Sequence, residues 1–448
     1  MSKAKSATAA TATKVVTADK AIEAPDTQAL ESQDKALRIL MVNKYYPPHV
    51  GGIEFHLRDL AEGLVAAGHQ VRVIVSNDER RYSEEVINGV EVIRLPRLFE
   101  RASTPLCSQL GPVLSYEAKQ ADIIHFHFPY PWAEFEWLGQ LASKNTAYVI
   151  TYHSDIVRQK GALAAYGPLL NKFLNRSQLI MASSPQLIKY SPWLNVRADK
   201  CRQVNFGLPL EEIAHSTEAP LRAAQLRQHY APDGKPIVLF VGRLVYYKGI
   251  EVLARAIPKV DAHFVVIGKG PERRLLEDLK KLEGVGERVH LIDYVEQEEL
   301  IAWLHVADVL TLPSVENSEA FGLVQIEAHA AGTPVVSSRL RTGVVHANLD
   351  GVTGLTVAPR DADALIGALN ALLADDELRR RLGTQAQKRA LAEFSLGQMI
   401  EATSCVYREA IAKHEERSFH CCQDSVVAPH QAVTQASAEV DRENVDGV

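Results

Sequence analysis

Cysteine is scarce in this 448-residue chain, and its five copies, Cys107, Cys201, Cys405, Cys421 and Cys422, are far apart or adjacent and never spaced CxxC. That argues against a cysteine zinc site and against a disulfide framework. Cys421 and Cys422 read as exposed thiols of a reducing compartment. No apolar run approaches the roughly 18 residues of a spanning helix, and the N-terminus lacks the apolar core of a signal peptide. Any membrane contact is therefore expected to be peripheral, and the expected location is cytoplasmic, with the inner face of the cell membrane as the surface within reach. A basic excess is missing too: 49 Lys and Arg stand against 55 Asp and Glu, for a formal charge of -6, which speaks against a nucleic-acid partner.

What remains is an ordinary globular composition, 46% apolar and 23% charged, in a chain longer than one core usually organises. Residues 1–35 are rich in Ala, Thr, Ser and Lys and nearly devoid of large apolar side chains, so a disordered leader is expected there, and a similar tail over 416–448. Glu23, Asp26 and Glu31 are out of character for a transit peptide. Between the tails, short β-branched runs alternate with segments of helical period, the pattern of βαβ units. Runs at Leu37–Val42, Val71–Val75, Ile123–Phe126, Tyr148–Thr151 and Leu179–Ala182 predict one α/β domain over 36–207. In its first helix Leu57, Leu60 and Leu64 share a face and Gly68 ends the pattern. Runs at Ile237–Val241, Phe264–Ile267, Val289–Ile292, Val309–Leu312 and Val335–Ser337 predict a second over 208–394. A helix over 395–415 is expected to return toward the first domain. Asn205, Gly207 and Pro209 have the turn chemistry of a hinge.

Three segments could carry chemistry. The loop Pro47–Glu54 joins a strand to a helix and sets Gly51 and Gly52 where backbone NH groups can approach an anion, or simply make a tight turn. It fits neither GxGxxG nor the P-loop pattern, which disfavours a nicotinamide dehydrogenase or an ATPase. The second domain opens with GRLVYYKG, placing Arg243 and Lys248 in one loop at the carboxyl edge of a sheet, as a diphosphate site or as two solvated cations. The strongest segment is Ser314–Val336. It puts Glu319 before a helix expected to begin near Phe321, with Glu327 in the second turn on the arc of Leu323, Val324, Ala330 and Ala331, and Gln325 and His329 opposite. A carboxylate on an apolar face needs a partner, either a ribose diol or a salt bridge to a neighbouring helix. The NH groups of Ala320, Phe321, Gly322 and Leu323 can meet sugar hydroxyls or phosphate oxygens. His125 and His127 share a face of one strand, but a metal site there needs a third ligand that the sequence does not name. His153 ends another strand.

Together these segments resemble the retaining glycosyltransferases of family 4, two-domain enzymes of the GT-B fold with doubly wound Rossmann-like halves and a cleft between them. The resemblance runs from about Leu37 to Lys413. It rests on the glutamate pair Glu319 and Glu327 with FG between them, and on GGIE at 51–54, GHQV at 68–71, VGRLVYYKG at 241–249 and GTPVV at 332–336. It implies that Arg243 and Lys248 hold the donor's diphosphate with Gly52 packed against it, that Glu319 and the NH groups after it hold the sugar, and that Glu327 accepts from the ribose. His153 would face the sugar, Tyr294 and Val295 would lie at the base, and Gly51, Gly242 and Gly268 would belong to the donor site. Arg341, Thr342 and Gly343 fall where relatives vary and do not identify the sugar. No DxD motif is read in the chain, so no metal or other cofactor is expected, only a nucleotide-sugar co-substrate.

The function so implied is hexosyl transfer from a nucleotide sugar, GDP-mannose first, to a saccharide or lipid-linked saccharide of surface polysaccharide or glycolipid. UDP-dependent transfer of glucose or N-acetylglucosamine is the alternative. A nucleotide-sugar epimerase, or a binding module without turnover, is the more distant rival. The basic excess among Asp155, Arg158, Lys160, Lys172, Arg176 and Lys189 has two readings, contact with an anionic lipid surface or a solvated helical face.

Overall fold

A computed structural model describes residues 35–49, 51–101, 104–140, 145–156 and 160–416, so the expected leader and tail lie almost wholly outside it. Two open sheets dominate. The first has eight strands in the order Cys201–Gln203, Leu179–Ala182, Tyr148–Tyr152, Ile123–Phe128, Arg38–Val42, Gln70–Ser76, Val90–Leu95 and Ser83–Ile87. All neighbours run parallel except the outermost Ser83–Ile87, which is antiparallel to Val90–Leu95. The second has six parallel strands, Val289–Ile292, His263–Ile267, Ile237–Val241, Val309–Leu312, Val335–Ser338 and Gly354–Val357. Helices cover both faces, which is why the inner strands are buried on both sides rather than alternately: all six residues of Ile123–Phe128 are buried, His125 and His127 among them.

In each sheet the order reverses beside the strand that comes first in the chain. Arg38–Val42 lies between Gln70–Ser76 and Ile123–Phe128, and Ile237–Val241 between His263–Ile267 and Val309–Leu312. Open α/β sheets bind ligands outside the carboxyl ends of the strands at this reversal. The loops that matter are therefore those leaving Val42, Phe128, Val241 and Leu312.

The chain passes between the sheets twice, side by side. The Leu208 amide donates to the Phe394 carbonyl at 2.9 Å and the Leu396 amide to the Leu208 carbonyl at 3.1 Å. The last helix, 396–416, sets Met399, Val406, Tyr407 and Ala410 into the same core as Leu57, Leu60 and Leu64 of the helix Gly52–Ala66.

One element departs from the sequence expectation. The helix after Glu319 begins at Val324 rather than near Phe321 and spans only Val324–Ala330. Gly322, at φ 74°, takes a left-handed turn that delays it, so Glu327 sits in the first turn. The helix also buries its polar side: Gln325 and His329 are at most 1% exposed, while Glu327 is only half-buried. Gln325 is accommodated because its amide donates to the Phe321 carbonyl at 2.9 Å.

Candidate active site

The loops at the two reversals face each other across a cavity of about 830 Å³. Lys44, Asp155 and Tyr190 line it from the first sheet, and Arg243, Ala320 and Arg341 from the second. The Arg341 guanidinium lies 5.6 Å from the centre of the Tyr190 ring, a cation–π contact across the cleft. Lys44 leaves the first strand by two residues. Burial lowers its pKa, and the acidic side chains of Glu134, Glu54 and Glu100 oppose that shift. Glu134 itself is buried and pushed up to about 8, although the Tyr130 amide donates to it at 2.9 Å.

On the second sheet, Lys248 and Glu319 meet. The Lys248 ammonium lies 2.7 Å from Glu319 Oε2, with the two side chains only 12% and 8% exposed, and the Ser314 hydroxyl donates to the same oxygen at 2.8 Å. Arg243 is exposed and donates to the Tyr247 hydroxyl at 3.1 Å, leaving most of its fork turned to the cavity. Glu327 has no hydrogen-bond or ionic partner among the described residues, and burial raises its pKa to about 7. The salt bridge to a neighbouring helix that its position could have meant is therefore not formed.

On the first sheet, His153 is 6% exposed and shares a hydrogen bond of 3.1 Å, through Nε2, with Nδ1 of His127. Phe206, in the chain passing between the sheets, stacks on His153 at 6.1 Å and meets Phe321 edge-on at 5.1 Å. This aromatic column sets His153 beside the loop that carries Glu319. His125 and His127 do share a face, with ring centres 4.3 Å apart. His125 is spoken for, by the Tyr407 hydroxyl at 2.8 Å and the Thr151 hydroxyl at 2.7 Å.

Of the expected site residues, Arg243 and Ala320 line the cavity, and Lys248, Glu319, Glu327 and His153 are not among its lining residues. Gly51 caps the first helix, and a Cβ there would meet the Glu54 carboxylate at 2.2 Å, whereas a Cβ on Gly52 would meet nothing within 4 Å. Gly242 lies against the Lys248 side chain, and a Cβ on Gly268 would meet the Gly242 carbonyl at 2.0 Å, so Gly268 serves backbone packing. Tyr294 is 68% exposed with its hydroxyl on Glu296, and Val295 packs against the core of the second sheet. The triplet Asp361-Ala362-Asp363 has DxD form outside the site segments. It caps a helix, Asp361 accepting from the Ala364 amide at 2.9 Å, and Asp363 pairs with Lys259. Lys44, Glu134 and Tyr190 went unremarked in the sequence, although a cation two residues beyond the carboxyl end of the first strand was a signal that could have singled out Lys44.

Two Rossmann-like sheets facing each other at their reversals make this a GT-B glycosyltransferase fold. Comparison with known proteins agrees: a model of group 1 glycosyl transferases matches residues 222–389, and one of glycosyltransferase family 4 matches residues 50–212. The chain is 31% identical to O-antigen chain mannosyltransferase C of Escherichia coli over 83% of its own length and 98% of that protein's. It is 31% identical to the D-rhamnosyltransferase WbpZ of Pseudomonas aeruginosa, over 79% and 91%. Among solved structures, a sucrose-phosphate synthase from Thermosynechococcus elongatus matches with a TM-score of 0.68 at 26% identity, covering 84% of this chain and 99% of that one. The Anabaena protein HepE in complex with UDP, at 20% identity and a TM-score of 0.64 over 82% and 98%, shares the fold. The chain belongs to glycosyltransferase family 4, and it is a transferase of the hexosyl-moving kind.

Two substitutions separate ligand contact from folding. Gly52→Ala adds a methyl to open space at a helix start, so the melting temperature should hold or rise while donor-dependent turnover falls; a lowered melting temperature would show that the glycine serves the fold instead. Glu327→Gln tests the unpartnered carboxylate. Its pKa rises from 4.5 to about 7 on folding, so the native state holds the proton more tightly and stability declines as pH climbs through that window. The variant should be more stable than the parent by up to about 2–3 kcal/mol at pH 8, with the gain shrinking toward pH 5. Thermal melts across pH measure this, and a gain independent of pH would contradict it.

Proposed function

We propose that this enzyme moves a hexosyl residue, mannose from GDP-mannose first, to a saccharide or lipid-linked saccharide acceptor of surface polysaccharide, retaining the anomeric configuration. The observation that carries the reading is the half-buried, unpartnered Glu327 carboxylate one helical turn beyond the loop of the Lys248–Glu319 pair. A carboxylate so placed costs stability in the free protein and gains two donors from a ribose diol. The mannosyl preference rests on the two relatives at 31% identity, one a mannosyltransferase and one a rhamnosyltransferase.

In this reading, breaking the sugar–phosphate bond leaves negative charge on the nucleoside diphosphate, and Arg243 and Lys248 absorb it. Glu319, freed from Lys248 as that ammonium turns to phosphate, accepts from the sugar hydroxyls. His153 faces the sugar from the other sheet, and the departing phosphate takes the acceptor proton. No divalent ion is needed, since two cations already stand at the leaving group. The lipid-linked form of the acceptor is supported by Lys172 and Lys189, which are exposed on the first-sheet half; flotation with anionic liposomes should carry the protein upward, and indifference to anionic lipid would remove that part of the reading. No helix among the described residues is long and apolar enough to cross a membrane.

A thermal-shift series with GDP-mannose, UDP-glucose and UDP-N-acetylglucosamine tests the donor, because a bound donor at a hundred times its Kd stabilises by about 2.7 kcal/mol. GDP-mannose should give the largest shift; a shift with a UDP sugar alone would replace the mannosyl reading by the UDP-dependent one. With the donor in hand, EDTA should leave turnover intact. Arg243→Ala should lower it by about 10²–10³-fold while stability stays within about 0.5 kcal/mol. Loss of the fold in that variant would sink the assignment of Arg243 to the leaving group.

A further inference from the structure

His127 and His153 come from neighbouring parallel strands whose register sets His127 beside Thr151 and Phe128 beside Tyr152, so the two rings lie next to each other. His56 reaches them from the helix Gly52–Ala66, its ring centre 5.8 Å from that of His127 and 5.2 Å from that of His153. One nitrogen from each of the three rings lies within 4.8 Å of the others. Three nitrogens in the group are shut off from water without any hydrogen-bond partner: both of His56, and Nε2 of His127, whose residue is 1% exposed. Buried polar atoms are nearly always paired, so three orphans in one cluster need a reason. The bond between His127 and His153 accounts for one nitrogen on each of those rings and for none of the orphans.

We propose that His56, His127 and His153 form a nitrogen-only site for an exchangeable divalent ion of the zinc class, and that the bound ion takes His153 away from the donor. The second clause rests on the role given above to His153. His127 Nδ1 and His153 Nε2 already stand 3.1 Å apart. Two nitrogens on a tetrahedral zinc, each at about 2.0–2.1 Å, are about 3.4 Å apart, so the ion replaces the shared proton and a turn of the His56 ring supplies the third ligand. A neutral imidazole offers the lone pair of its unprotonated nitrogen to such an ion. A set of three imidazoles without a carboxylate selects zinc, nickel, cobalt or copper over magnesium and calcium. A resident metal's histidines usually give their second N–H to an acceptor, which the orphan nitrogens here lack. The site is therefore one that loads and unloads, an inhibitory site rather than a requirement for turnover.

The test uses the full chain with His420→Ala, Cys421→Ser and Cys422→Ser, because that run of soft ligands in the tail would add zinc of its own. Titration calorimetry with zinc chloride should find one ion per chain, bound at least tenfold more weakly after His56→Gln or His127→Gln, each checked for an unchanged melting temperature. Should His127→Gln fail to fold, His56→Gln and the visible spectrum of bound cobalt, which reports tetrahedral nitrogen ligation, carry the test alone. Zinc bound equally well by the folded variants, or a cobalt spectrum without tetrahedral character, overturns the site. With the donor identified by thermal shift, zinc should inhibit turnover, EDTA should restore it, and His56→Gln should raise the inhibitory concentration at least tenfold. Tight zinc binding without inhibition overturns the competition with the donor. The calorimetry needs no sugar nucleotide, so failure of the donor reading and failure of the site are told apart.

Discussion

A buried ion pair between Lys248 and Glu319, 2.7 Å apart, joins the loops leaving the two strands at the reversal of the second sheet. Such a pair contributes little net stability, because removing both charges from water costs about as much as their attraction returns. Its value lies in what it holds in readiness. Lys248 is held by a partner that, in the proposed reading, a phosphate replaces, and Glu319 is held ready for the sugar hydroxyls. Arg243 lacks an ionic partner among the described residues and stays exposed, so in the proposed reading a diphosphate meets the exposed cation first and the paired one second.

The inner strands were legible because strands buried on both faces are written mostly as apolar runs, and Ile237–Val241, Val309–Leu312 and Leu179–Ala182 lie where those runs place them. Of the outer strands, Val289–Ile292 was legible and the other three were not. Ser83–Ile87 is half polar because one face meets water, Cys201–Gln203 has only three residues, and Gly354–Val357 opens on a glycine and carries a threonine in its four. The hairpin of Ser83–Ile87 with Val90–Leu95 did carry a local signal, Asn88-Gly89, whose φ angles of 49° and 85° are those of the tight turn favoured between antiparallel strands.

The site divided along the same line. Arg243, Lys248, Glu319 and Glu327 lie in two loops and one helix, close enough in sequence for spacing to reveal them. Tyr190 comes to the cavity only through the packing of the whole chain, which no local pattern encodes, whereas Lys44 carried a signal in its place just past the first strand. The helical wheel put Glu327 on the arc of Leu323, Val324 and Ala331, and the structure keeps it there, but that arc is the half-exposed one while Gln325 and His329 face the core. Gln325 goes inward with its amide nitrogen on the Phe321 carbonyl and its oxygen without a partner. Glu327 lacks an internal partner on the arc the wheel assigned, an arc that faces partly outward instead of into the core.

The two halves of the cleft differ in kind, and that difference bears on catalysis. The second sheet brings charge: Arg243, Lys248, Glu319 and Glu327. The first brings buried imidazoles kept neutral by desolvation, with Phe206 and Phe321 bridging the gap. Lys44 and Asp155 also line the cavity from the first sheet, so the neutral imidazoles form a layer beside a charged lining, and Coulomb attraction grows where that layer lowers the effective dielectric. Cations that would be screened in open water act more strongly in such a setting. The same neutrality leaves imidazole lone pairs available, so the wall that sharpens the electrostatics is also the one a soft cation can enter.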